Sequence, residues 1–164
     1  MLGKLRRGTV DTVTGTSHVT IGIKSGPATA TESFFGIAQG LMPGVQALLT
    51  AKNSAIPLVF ISCHVTECLL KSYLTTKGVT DKALRSPRVR HNLEELWRMC
   101  VTQGLPVDPT PPPWVTELNG LHDGPAFLLR YPMGINGFSF SPLAPIVQSI
   151  ELLLETVRQA NLGA

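Results

Sequence analysis

The chain has 164 residues and a mass of 17.6 kDa, enough for one hydrophobic core and too short for a second full domain. Hydrophobic residues make up 43% and charged residues 15%, a balance that excludes wholesale disorder and a charge-rich coiled coil. The net charge of +3 is unevenly laid out, with 11 basic and 4 acidic groups in residues 1–90 against 3 and 7 in residues 91–164; this permits a basic anion-facing side, but +3 alone does not argue nucleic-acid binding.

Residues 1–31 scatter Gly3, Gly8, Gly15, Gly22, Gly26 and Pro27 among threonines, with alternation at Val19, Ile21 and Ile23. They read as an irregular arm or a short hairpin ahead of a helical domain over 32–160. Lys4, Arg6 and Arg7 imitate the start of a signal peptide, yet a threonine-rich stretch with Asp11 follows where an apolar run belongs, so secretion is not expected.

Apolar residues at Phe34, Phe35, Ile37, Leu41, Val45, Leu48 and Leu49 predict a first helix over 32–52, bent near Pro43. Residues 33–51 carry no charge and space Gly36, Gly40 and Gly44 four apart, as membrane-helix contacts do. Gln39, Pro43 and Gln46 favour a soluble helix with a small-residue face, on which Gly40 would mark a dimer contact. The second helix opens with Ser54 as N-cap and Pro57 in the first turn, buries Leu58, Ile61, Val65, Leu69 and Tyr73, and stops at Gly78.

Residues 79–90 hold Pro87 with Lys82, Arg85, Arg88 and Arg90, a basic connecting segment. Asn92 then starts a helix, with Glu95 three residues on in a capping-box arrangement and Leu93, Leu96, Trp97 and Cys100 as its buried stripe to Gly104. Four prolines in 108–113 forbid helix, and Trp114 to Leu121 allows a short one. Ala126 to Tyr131 and Phe138 to Phe140 around Asn136-Gly137 suggest a small β-hairpin, and Pro142 to Gln159 closes with a last helix. The expected class is all-α: an antiparallel up-and-down bundle of four to five helices with a hairpin insertion.

His64, Glu67 and Lys71 fall at i, i+3 and i+7 on the second helix, one face of two turns. Ionisable groups embedded among Cys63, Val65, Leu69 and Leu70 demand partners, as a structural network or as a ligand site. No metal centre is expected, because spacing gives His18, His91 and His122 no matching carboxylate and Cys63, Cys68 and Cys100 form no CxxC pair. The cysteines read as reduced core residues. No P-loop, dinucleotide fingerprint or serine elbow is present.

Three blocks in order resemble one family: His64-Val65-Thr66-Glu67-Cys68-Leu69-Leu70-Lys71-Ser72-Tyr73-Leu74, then His91-Asn92-Leu93-Glu94-Glu95-Leu96-Trp97, then Leu129-Arg130-Tyr131-Pro132. Across residues 32–160 the chain is similar to the HEPN family, the higher-eukaryote and prokaryote nucleotide-binding helical domains. The resemblance implies a cytoplasmic helical bundle, often homodimeric, of the kind found in defence systems, toxin–antitoxin pairs and nucleotidyltransferase accessory proteins. It also implies a polar ligand site of His64, Glu67, Lys71, Arg130 and Tyr131 for a nucleotide, RNA or protein partner, with no cofactor. Many members cleave RNA without metal through Arg-x4-6-His, arginine steadying the phosphate and histidine moving protons. Arg85 and His91 match that spacing, although Pro87 interrupts it and His91 opens a helix; the alternative expectation is a metal-independent ribonuclease toxin or defence effector. As a structural residue, His91 would anchor the helix start against Glu67 or a backbone carbonyl.

Overall fold

A computed structural model describes residues 29–51, 54–123, 137 and 139–163. Among these residues all regular structure is helical: α1 (Ala30–Thr50), α2 (Ala55–Thr76), α3 (Asp81–Leu84), α4 (Leu93–Thr102), α5 (Pro113–His122) and α6 (Leu143–Leu162). The expected arm or hairpin before residue 29 and nearly all of the expected hairpin at 126–140 lie outside the described residues, as do Arg130 and Tyr131.

Thr29 and Glu32 cap α1 reciprocally, each side chain accepting from the other's backbone N–H. The helix runs unbroken through Pro43, which sits on the exposed side while Ala38, Met42 and Val45 face the core. Ser54 precedes α2 as expected, but it does not cap it. Its hydroxyl instead donates back to the carbonyls of Leu48 and Ala51, satisfying acceptors at the end of α1 and tightening the turn between the two helices.

The core is organised around α2, against which α1, α4, α5 and α6 all pack. From Ser62 to Leu74 only His64 escapes burial. Both α2 and α4 end in Schellman turns. After α2, Gly78 takes φ +83° while its N–H bonds Thr75 O and that of Val79 bonds Leu74 O; after α4, Gly104 takes φ +86° while Leu105 N–H bonds Cys100 O. The Thr31–Thr75 hydrogen bond at one end and the Ser54 turn at the other set α1 and α2 in opposite directions. Gln46 reaches Glu151 on α6, the Arg158 guanidinium lies over Phe35, and Asn161 bonds Thr76 and Ser72, so α6 runs against α1 and alongside α2.

The 79–92 connection is more ordered than Pro87 and its charges suggest. Thr80 caps the one-turn α3 by accepting from Ala83 N–H. Asn92 caps α4 through Glu95 N–H, but the second half of the expected capping box is absent: Asn92 N–H bonds Val89 O, and the Glu95 carboxylate pairs with Arg88 and Arg98. Cys63, Cys68 and Cys100 are buried free thiols; Cys63 and Cys100 donate to the carbonyls of Leu118 and Leu70 on neighbouring helices. The described helix long and apolar enough to cross a membrane is α2, not the 33–51 stretch, and 67% of its apolar window is buried in the protein.

Candidate functional site

Glu67 sits midway along α2 with its carboxylate buried, and it accepts from three side chains. Lys71, one turn on, donates from Nζ to Oε1 at 2.6 Å. On Oε2, His91 Nδ1 lies at 3.1 Å and His122 Nε2 at 2.5 Å. The side chains of Glu67, Lys71 and His122 are under 10% exposed and that of His91 is 23% exposed, so the cluster meets solvent on the His91 side.

Burial would raise the Glu67 pKa, but the hydrogen bond from His122, the charge and hydrogen bond of Lys71, and the hydrogen bond from His91 outweigh it and hold it near 2, from an ordinary 4.5. An ionised carboxylate only accepts, which fixes a proton on His91 Nδ1 and on His122 Nε2. His91 Nε2 is thereby the nitrogen directed away from Glu67. The two imidazoles meet edge-on, with ring centroids 5.5 Å apart.

Each member is delivered by a different element. Glu67 and Lys71 come from α2, His91 from the turn just before α4, and His122 from the last position of α5. Lys71 makes a second bond, at 2.6 Å, to the carbonyl of Arg90, and the face of Phe34 covers its ammonium at 5.9 Å. Asn119 accepts from Leu93 N–H at 2.7 Å, tying α5 to the start of α4. The basic 82–90 segment is thus pinned to the buried cluster at its last residue, while the side chains of Lys82, Arg85, Arg88 and Arg90 stay exposed.

The expected ligand residues are divided. Glu67 and Lys71 meet His91, which anchors on Glu67 as its structural role requires. His64 is exposed, with Nε2 3.8 Å from Cys68 Sγ. Arg130 and Tyr131 lie outside the described residues. Arg85 pairs with Asp81 at 2.7 Å with its side chain 78% exposed, whereas His91 turns inward to Glu67.

His122 is the member that sequence reasoning missed. Its signal was its position on the apolar stripe of α5 after Val115 and Leu118, where a buried imidazole must find a partner. The carboxylate that spacing denied to His91 and His122 is Glu67, 24 and 55 residues earlier.

A cavity of about 370 Å³ lies elsewhere, between Trp97, Trp114 and the Leu152–Leu153 face of α6. There Trp97 Nε1 bonds Asp108 O, and the two indoles meet edge to face at 5.9 Å. Its lining is mainly apolar. Burial pushes the Cys63 thiol up to about 12 with help from the Glu67 charge, and Cys68 likewise, so neither is a poised nucleophile.

No family model, curated protein or solved structure matches the chain.

Proposed function

We propose that the chain is a HEPN-like domain that binds a nucleotide, RNA or a protein partner through the polar site around Glu67, working as a cytoplasmic homodimer. The opposed pairs α1–α2 and α1–α6 support an antiparallel up-and-down bundle. The observation that carries the reading is the convergence of Glu67, Lys71 and His91, drawn from two of the three resembling blocks, into one buried cluster that also grips the Arg90 backbone.

A phosphate-bearing ligand suits this arrangement best among the three. Lys82, Arg85, Arg88 and Arg90 are exposed on a segment held beside the cluster, and guanidinium groups recognise phosphate oxygens. Anisotropy titration of a labelled single-stranded RNA and of labelled nucleotides over a salt series tests it. Affinity should fall with salt, by a logarithmic slope of about 0.7 per neutralised phosphate for single strands. The slope should flatten in an Arg85→Ala/Arg88→Ala/Arg90→Ala variant; salt-independent binding, or none, refutes the role.

A second reading, a metal-independent ribonuclease using Arg85 and His91, is favoured by the carboxylate on His91 Nδ1, the orientation that suits Nε2 to proton transfer. Arg85 would have to leave Asp81 to reach a phosphate. Cleavage of RNA in chelator, lost in folded His91→Ala and Arg85→Ala proteins, would put this reading first. No cleavage by the wild type would end it and leave the binding reading in place.

A further inference from the structure

We infer that Glu67, His91 and His122 form a binding site for a divalent transition-metal ion of the zinc, cobalt or nickel class. Their donor atoms, one carboxylate oxygen and two imidazole nitrogens, lie within 4.8 Å of one another. Two imidazoles and a carboxylate are a ligand set that holds such an ion while leaving coordination positions open. Imidazole donors select against magnesium and calcium, which take oxygen ligands.

The site needs little rearrangement to close. Ligands about 2.1 Å from a tetrahedral ion stand about 3.4 Å from each other. The Glu67 Oε2 distances of 3.1 Å to His91 and 2.5 Å to His122 both fall short of that spacing, so each imidazole must draw back, by up to about 1 Å at His122, to admit the ion. An ion replaces the two N–H protons that now point at Oε2, and each imidazole carries its proton on the opposite nitrogen. His91 is the half-exposed member on a turn, so it can yield to admit the ion and leaves a solvent-facing side for a further ligand. Lys71 bonds Oε1, and Oε2 is the carboxylate oxygen that faces the two imidazoles.

Lys71 is also a resident cation that competes for the same carboxylate, which yields a test of sign. Lys71→Met should tighten metal binding, by about tenfold or more, since like charges disfavour each other across a shared site. A merely structural hydrogen-bond cluster predicts no such gain.

The experiment is titration of the chelator-dialysed full chain with cobalt(II) alone, followed by visible absorption and calorimetry. No nucleotide is present, so the result is independent of the ligand reading above. A saturable 1:1 complex with ligand-field bands, absent from both His91→Gln and His122→Gln proteins that circular dichroism shows to be folded, supports the site. His91→Gln, at the half-exposed position, keeps the test usable if His122→Gln does not fold. No 1:1 complex in the wild type overturns the proposal, and so does cobalt binding that persists in folded His91→Gln.

Discussion

Replacing Glu67 by glutamine keeps the size of the side chain and removes its charge. Lys71 Nζ would still donate to Arg90 O and lie under Phe34, but its ammonium, on a side chain only 8% exposed, would have no counter-charge. Breaking a buried pair from one side costs about 3–5 kcal/mol. The depression of Glu67 from 4.5 to about 2 has the matching sign, its three donors favouring the ionised carboxylate that Glu67→Gln removes. For a chain of this length 1 kcal/mol moves Tm by about 2–4 °C, giving an expected fall of roughly 10 °C. Adding Lys71→Met removes the stranded ammonium, so the double variant should regain most of the loss. The assay is thermal and urea unfolding of the metal-free wild type, both single variants and the double. A Glu67→Gln Tm within about 2 °C of wild type, with an unchanged m-value, would refute the claim that the cluster is a closed buried ion pair.

The acid limb tests the same carboxylate without mutation. A folded pKa below the unfolded one contributes stability in full above about pH 4.5 and loses it as pH falls toward 2; chelated wild type should destabilise through that window more steeply than Glu67→Gln, in which only other lowered carboxylates such as Glu94 still titrate. Gly36 is exposed inside α1 with open space where a Cβ would stand, so Gly36→Ala should stabilise by about 0.5–1 kcal/mol, read from urea midpoints. Gly78→Ala meets equally open space at φ +83°, and should destabilise by about 1–2 kcal/mol. Cys63 and Cys68, buried with thiols near 12, should react with a disulfide reagent at pH 8 only after denaturant is added; fast labelling of the native chain would show that the core around α2 is open.

The long helices were legible because apolar period and punctuation coincide, as at Phe34 to Leu49 for α1 and Leu58 to Gly78 for α2. Less was legible where one residue type serves two opposite purposes. Ser54 stands where an N-cap belongs, yet its hydroxyl found two carbonyls of the preceding helix closer than any amide of its own. Glu95 has the position for a capping box, but Arg88 and Arg98 supply stronger, charged partners. Within the candidate site the helical spacing of Glu67 and Lys71 was visible and the placement of His64 was not. A position three residues before Glu67 lies on the same broad face but at its exposed margin, and only the packing of α4 and α5 decides where that margin falls. His122 was hidden because its partner is 55 residues away, and no local period encodes that meeting.

The burial of most of α2 bears on the chain before it folds. A 22-residue helix containing an 18-residue window of mean hydropathy 1.3 is long and apolar enough to cross a bilayer by length and composition. A charged side chain at the centre of such a segment opposes partition into lipid by about 2.5–3.5 kcal/mol, and Glu67 lies near that centre with Lys71 one turn beyond it. Glu67 and Lys71 lower the hydropathy of the segment and pair with each other one turn apart along it, while Phe34, the Arg90 carbonyl and the two imidazoles complete their surroundings in the folded chain. Replacing the pair with apolar residues to stabilise the core would therefore also raise the hydropathy of a segment already long enough to span a bilayer.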